Sequence, residues 1–235
     1  MQVEGGRARC VVGHVDGRKV AIPCDCVVST VPWTTLMRSL HFVDGPGLSD
    51  EARAAVEGLQ TIGIVFVYIE VARTHVMPDH WIYLPGPELS VHRVSEFKNF
   101  CDAAAPGDRT LLCCEITCRP GDARWRMSAQ EATVLALSDL TAVGLLEPGE
   151  GRLLELARLA QAYPVYDLDY RGRLQALRRE TRRVGNLVTT GRQGLFRYNN
   201  MDHSMAMGRK AARALLSASD REAAEAVAVG VEYFG

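Results

Sequence analysis

The sequence predicts an α/β fold that includes an α+β portion built on an antiparallel sheet with helices. Three observations carry this reading. Apolar, β-favouring runs at 26–31 and 187–190 are unbroken, as strands buried on both faces are. Between 62 and 118, four strand-like runs succeed one another without an intervening helical pattern, which antiparallel strands allow and parallel strands do not. Finally, the run at 187–190 leads through a glycine-bearing polar loop into a helix, the order in which α/β folds place ligands.

From the N-terminus, residues 10–15 and 19–22 flank Asp16-Gly17, a dipeptide suited to a two-residue hairpin turn. The run 26–31 ends at Pro32, and a helix is expected over 33–40. Ser49 can cap a further helix whose first turn holds Asp50 and Glu51, with Ala52, Ala55, Val56 and Leu59 at helical spacing. The four strands are expected at 62–70, 80–84, 91–97 and 109–118, joined as a meander by turns rich in Pro, Gly and Asp. Ser128 and Glu131 form a capping box for a helix with Ala136, Leu137, Leu140 and Val143 on one face, stopped by Glu147-Pro148-Gly149.

A short helix is expected over 152–162, then an extended segment over 163–170, too rich in Pro, Asp and Tyr for a helix. Residues 171–184 carry six arginines beside an apolar side of Tyr170, Leu174 and Leu177, closed by Gly185-Asn186; such a charge run reads as a solvated helix face. The last helix has its stripe at Met201, Met205, Gly208, Ala212 and Leu215, with Asn199 or Asn200 as cap and Gly208 allowing close approach to a neighbour.

Composition sets the outer limits. With 235 residues, 47% of them hydrophobic and 23% charged, the chain is neither disordered, collagen-like nor a coiled coil. Twenty-seven Lys and Arg against 28 Asp and Glu give a net charge of -1, so no bulk field recruits nucleic acid or an anionic membrane. No apolar run approaches the roughly 20 residues of a membrane span, and residues 1–7 lack the apolar core of a signal peptide; a soluble cytoplasmic protein is expected. The odd count of seven cysteines favours reduced thiols, and neither Cys24 with Cys26 nor Cys113, Cys114 and Cys118 has zinc-site spacing, so no metal is expected.

The most informative stretch is Gly191-Arg192-Gln193-Gly194-Leu195-Phe196-Arg197-Tyr198-Asn199-Asn200-Met201-Asp202-His203-Ser204. It closely resembles the C-terminal flavin motif of the FAD-dependent amine oxidase and protoporphyrinogen oxidase superfamily, with the nearest likeness to UDP-galactopyranose mutases and mutase-like bacterial flavoproteins. Three further stretches agree in the same order: Val27-Val28-Ser29-Thr30-Val31-Pro32; Trp81-Ile82-Tyr83-Leu84-Pro85 with 92–100; and Tyr163-Pro164-Val165-Tyr166. Together they span almost the whole chain.

The resemblance implies an incomplete Rossmann-like FAD-binding domain, its C-terminal share at 1–32 and 163–235, and a substrate domain at 33–162 with an antiparallel sheet. It implies FAD as cofactor, with Thr30, Pro32, Gly191, Met201, Asp202 and His203 beside it. First-turn amides of a helix starting near Met201 would favour the negative pyrimidine edge of reduced flavin. For a mutase it implies attack by the flavin on the anomeric carbon of UDP-galactose with no net redox, and substrate contacts from Arg93, Tyr163, Arg192, Tyr198 and Asn200. Guanidinium and phenol groups suit a diphosphate.

Each of these residues also has a plainer reading. Arg93, beside the apolar Val91, could face solvent on a strand, and Tyr163 could be a packed surface aromatic. His92 and His203 are assigned no acid or base role. Phe196 stands where bacterial mutases tend to carry Tyr, which removes one phenol from the grip on a diphosphate. No G-x-G-x-x-G follows a strand, so the chain is expected to be the C-terminal part of a longer enzyme and to hold FAD weakly by itself. A nucleotide sugar or other small molecule and the missing N-terminal FAD-binding segment are its expected partners. An amine- or porphyrinogen-type oxidase, or a non-catalytic remnant or partner subunit, are the alternatives.

Overall fold

Two hydrophobic clusters organise the computed structural model, which describes residues 1–216, and they belong to separate units: Met1–Gln60 with Pro164–Gly235, and Thr61–Tyr163. The portion of the expected C-terminal share at 217–235 lies outside the described residues. In chain order the elements are β1 (Gln2–Glu4), β2 (Arg7–Val15), β3 (Arg18–Pro23), β4 (Val27–Ser29), α1 (Trp33–Ser39), β5 (His41–Phe42) and α2 (Asp50–Gly58). The second unit holds β6 (Thr61–Val71), β7 (Trp81–Tyr83), β8 (Arg93–Glu96), β9 (Thr110–Cys118), α3 (Ala123–Arg126), α4 (Ala129–Ala142) and β10 (Arg152–Pro164). The chain ends its described course with α5 (Tyr170–Arg182), β11 (Leu187–Thr189), α6 (Gly191–Gly194) and α7 (Met201–Leu216).

In the first unit, β2 and β3 form the expected hairpin, and Asp16 (φ 49°) and Gly17 (φ 75°) both take the left-handed conformation that a type I′ turn requires. The sheet order is β3-β2-β1-β5, and a separate parallel pair joins β4 to β11. Helices α1, α2 and α5 contribute Trp33, Met37, Val56, Leu174 and Leu177 to one core with Val3 and Leu187. Trp33 Nε1 donates to Thr181 Oγ1 at 2.9 Å, so the indole brings its polar atom into that core satisfied. Asn186 bolts strands together: its amide donates to the carbonyls of Ala8 and Asp25 and accepts from Ala8 N at 2.7 Å.

Residues 33–60 thus lie in the first unit, where the sequence reading placed a boundary at 32/33; α1 and α2 bury their apolar faces in this core and leave none for another. The strand expected over 26–31 is only Val27–Ser29, and Val28 is exposed, because β11 is its sole strand neighbour among the described residues. The arginine-rich helix is α5. Three arginines of the run 171–184 are ion-paired: Arg173 with Asp167, Arg179 with Glu51, and Arg183, just past the helix, with Glu180.

In the second unit the sheet order is β10-β6-β9-β8-β7. The four-strand meander is therefore only partly formed, since β6 passes over its neighbours in sequence and pairs with β9 from Gly63↔Cys118 to Val71↔Thr110. Those are the two long apolar strands, and side-by-side placement buries both, while the three-residue β7 is left as a short edge. The helix expected over 152–162 is the strand β10. Its Leu, Glu, Ala and Arg are good helix formers, but pairing with β6 and the packing of Leu153 and Leu156 on the core override a preference of a few tenths of a kcal/mol per residue.

Helix α4 starts at the expected capping box and buries Ala132, Ala136 and Leu140. It stops at Gly144 (φ 74°), where the amides of Leu145 and Leu146 return to Leu140 O, rather than at 147–149. The buried Asp139 on α4 accepts from the amides of Ser90 and Val91, at 2.7 and 2.8 Å, fixing the chain just before β8.

The stripe proposed for α7 points outward. Met201 and Met205 are exposed, and the buried face is Met207, Ala211 and Ala214, whose small alanines let the helix lie on Val188 of β11. Gly208 serves no close approach among the described residues, since a Cβ there would meet none of them within 4 Å. All seven cysteines are free thiols. Among the described residues no cluster of His, Cys, Asp and Glu could hold a metal, and no helix is long and apolar enough to cross a membrane.

Candidate functional site

The parallel strands β4 and β11 end side by side, and the loops that leave them carry most of the motif residues. Thr190 N donates to Ser29 O at 2.9 Å, which ties the two loop starts together. Gly191 (φ 80°) needs to be glycine for its backbone conformation; its Cβ position lies 3.8 Å from Thr30 Cγ2, ordinary contact. Gly194 needs to be glycine for space, because a Cβ would stand 2.9 Å from Thr189 Oγ1 and 3.0 Å from Ser29 O. Thr189 Oγ1 donates to Gly194 O at 2.7 Å, so α6 is fastened onto the strand ends. Pro32 opens α1, its carbonyl accepting from Leu36 N.

Beyond α6 the backbone is strained at Phe196 (φ 52°), a left-handed conformation that a bulky residue adopts only when its surroundings impose it. Two things impose it: the Phe196 ring is buried in the core, and Tyr166 Oη donates to Phe196 O at 3.4 Å while accepting from Tyr198 N at 2.8 Å. Burial chiefly raises the Tyr166 pKa, so the phenol keeps its proton for this double contact. Tyr166 has no role in the sequence reading beyond its place in Tyr163-Pro164-Val165-Tyr166. Its function depends on a residue 30 positions away, which no local pattern reveals.

The strained loop brings together Arg192, Tyr198 and Asn200. The Arg192 guanidinium lies 4.7 Å over the Tyr198 ring, and its Nη1 donates to Asn199 O at 2.8 Å. Asn200 occupies the cap position of α7 through its backbone: its carbonyl accepts from Ser204 N, and its amide donates to His203 Nδ1 at 3.1 Å. His203 therefore acts as the reciprocal half of a capping box, the job Glu or Gln more often does. Asn199 Oδ1 is buried without a hydrogen-bond partner among the described residues. Met201 and Asp202 begin the helix exposed.

The other two motif residues, Arg93 and Tyr163, lie in the second unit. There the register places Tyr83, Arg93, Glu115 and Phe66 across one row of the sheet and Trp81, Ser95, Cys113 and Tyr68 across the next. The intervening row of Ile82, Val94, Cys114 and Val67 belongs to the core, so these two rows share the face turned away from it. Arg93 Nε and Nη2 both donate to Glu115 Oε1. Burial opposes the charge of Arg93, but the bonds and charge of Glu115, with Tyr163 close enough to add to them, leave its pKa raised. This settles its surroundings: Arg93 is a half-buried, paired arginine and not a solvent-facing one.

Sequence reasoning missed Glu115 and undervalued His92. Glu115 is almost completely buried, with Oε2 lacking a hydrogen bond among the described residues and lying 3.7 Å from His92 Nε2. Burial lowers the His92 pKa, against the pull of Glu115, so the ring is neutral in the fold. On the same face, burial pushes the Cys113 thiol up to about 12, which leaves it unreactive at neutral pH.

The chain belongs to the family of flavin-containing amine oxidoreductases, whose model matches residues 2–218. No curated protein matches it. Among solved structures it is similar to reduced UDP-galactopyranose mutase, with a TM-score of 0.78 and 21% identity over 96% of this chain and 47% of that one. It is also similar to wild-type putrescine oxidase bound to putrescine (TM-score 0.58, 18% identity, 92% of this chain, 48% of that one). An oxidoreductase from Methanosarcina mazei aligns with a TM-score of 0.54 at 17% identity, over 82% of this chain and 42% of that one. These likenesses show the α/β flavoprotein fold, and the chain spans about half the length of the relatives it matches.

Proposed function

We propose that this member of the flavin-containing amine oxidoreductase family works as part of an FAD-dependent enzyme resembling UDP-galactopyranose mutase, with a dinucleotide-binding segment supplied by sequence outside these residues. The observation that carries the reading is the backbone at 189–204: left-handed Gly191 beside Thr30, strained Phe196, and the exposed start of α7 together at the ends of two parallel strands. Such backbone suits the edge of a flavin on three counts. Amides at the start of a 16-residue helix favour negative charge by about 0.3–1 kcal/mol. Glycine permits close passage, and Asn199 Oδ1 is a buried acceptor without a hydrogen-bond partner among the described residues.

Thr30, Pro32, Gly191, Met201, Asp202 and His203 are the residues proposed to line the cofactor. When bound, reduced flavin would supply an electron-rich, nucleophilic centre. The chain's own contribution is to hold the leaving diphosphate. In the first unit Arg192 and Tyr198 offer guanidinium and phenol donors for it, and Asn200 adds an amide; Arg93 and Tyr163 are proposed as substrate contacts of the second unit taken by itself. Glu115 holds Arg93 in a fixed plane before any ligand arrives.

The test is to join the chain with a dinucleotide-binding segment and assay UDP-galactofuranose under reducing conditions. Conversion to UDP-galactopyranose only with reduced flavin is the expected outcome, with a loss of at least about tenfold for Arg192→Ala. An amine or porphyrinogen oxidase is the second reading, favoured by the family to which the chain belongs. It is distinguished by oxygen consumption and indifference to UDP.

A further inference from the structure

Phe196 is the strained residue of the first unit's loop, and one side chain brackets it. The Tyr166 hydroxyl accepts from Tyr198 N at 2.8 Å and donates to Phe196 O at 3.4 Å, so a single oxygen holds the two peptide groups that flank Arg197. The Tyr166 ring also meets the Phe196 ring edge-on, with centroids 6.3 Å apart.

The first half of the loop does not need this brace. The amides of Leu195, Phe196 and Arg197 donate to the carbonyls of Gly191, Gln193 and Arg192, and Thr189 fastens Gly194 to the strand end. Beyond Arg197 the chain is fixed by Tyr166 and by Arg192, whose Nη1 donates to Asn199 O at 2.8 Å. A left-handed phenylalanine relaxes toward the extended region once nothing holds it. That rotation would turn Phe196 O away and carry the Tyr198 ring off the Arg192 guanidinium, which now lies 4.7 Å over it.

Tyr166 is itself anchored outside the loop it restrains. Val165 N donates to Gln60 O at 2.9 Å, and Asp167 accepts from Arg173 Nη1 at 2.5 Å. The Tyr166 ring packs at 4.7 Å on Tyr170 of α5, which lies against the core. Strain persists where surroundings impose it in this way, and it clusters where a conformation is used.

We propose that Tyr166 is a positioning residue for anion capture: by holding Phe196 left-handed it sets the Tyr198 phenol beside the Arg192 guanidinium before a diphosphate arrives. This rests on the nucleotide-sugar reading above and adds to it a residue that works through the backbone, without touching the ligand. Two donors already in place lower the cost of binding. Without the hydroxyl the loop leaves the competent state, and apparent affinity falls in proportion to the competent fraction.

The test uses the chain joined to a dinucleotide-binding segment and the variant Tyr166→Phe, which keeps the ring contacts and deletes only the hydroxyl. UDP and inorganic diphosphate should each bind about tenfold more weakly, by the same factor, because the brace serves the anion and not the base. In turnover of UDP-galactofuranose the loss should fall on KM more than on kcat. Without ligand, phenylglyoxal should modify Arg192 several-fold faster in the variant, at a temperature where circular dichroism shows both proteins fully folded. A brace that served only the fold would lower the melting temperature and move none of these. Wild-type affinity for UDP and diphosphate in Tyr166→Phe, or an unchanged rate of Arg192 modification, overturns the positioning role and leaves the nucleotide-sugar reading standing. Failure of the wild-type protein to bind either UDP or diphosphate overturns both.

Discussion

The two units build their candidate sites from different material. In the first, the site is backbone: a left-handed glycine, a strained Phe196, a helix start, and carbonyls and amides fixed by Tyr166, Thr189 and His203. In the second it is side chain: aromatic rings and one ion pair standing on a sheet whose opposite face is core. A site made of backbone can be ruined by a methyl group that touches no ligand. One made of side chains on a rigid sheet tolerates truncation of most members, because the sheet is held from the other face.

The largest effect should come from the one member of the second site that is not dispensable. Glu115→Ala leaves Arg93 half-buried without its partner and should destabilise the second unit by about 3 kcal/mol, read from hydrogen exchange of β8 and β9 amides. A loss below about 1 kcal/mol would mean that Arg93 swings to water, and the contrast between the units would narrow. Next, Gly194→Ala drives a Cβ into Thr189 and the backbone of Ser29 and should cost the first unit about 2 kcal/mol in urea unfolding. Tyr166→Phe removes both hydrogen bonds that constrain Phe196 and Tyr198 and should cost about 1 kcal/mol, with faster exchange of the Tyr198 amide as its signature.

A pH titration separates the units without mutation. His92 has a folded pKa lowered mainly by burial, so below the unfolded value of about 6.5 the unfolded chain takes up a proton that the folded unit refuses. Stability of the second unit should therefore be fully present above that pH and fall as pH drops below it. His92→Gln should flatten the slope between pH 7.5 and 5.5 in denaturant midpoints. The smallest expected effect has the opposite sign. Gly208→Ala, in exposed helix with nothing within 4 Å, should stabilise α7 by about 0.5–1 kcal/mol, measurable as a rise in Tm.

Much of the candidate site could be read directly. The residues from Gly191 to Ser204 are contiguous, and the helix expected near Met201 starts at Met201. Tyr166, Glu115 and Asn186 could not be read in the same way. Each acts on a partner 22 to 178 positions away, and an isolated Tyr, Glu or Asn in sequence carries no sign of which backbone it will hold.

The same division runs through the fold. Sequence alone determined the features whose physics closes within a few residues: the Asp16-Gly17 turn, the Ser49 cap, the Ser128 and Glu131 box, and the apolar cores of β6 and β9. Only tertiary structure decided that 152–164 is a strand, that β6 pairs with β9, that α7 buries Met207 rather than Met205, and that residues 33–60 join the first core. In each of these the local preference amounts to a few tenths of a kcal/mol per residue, while burying a single large apolar side chain contributes about 1.5–3 kcal/mol. The distant partner therefore outweighs the local signal.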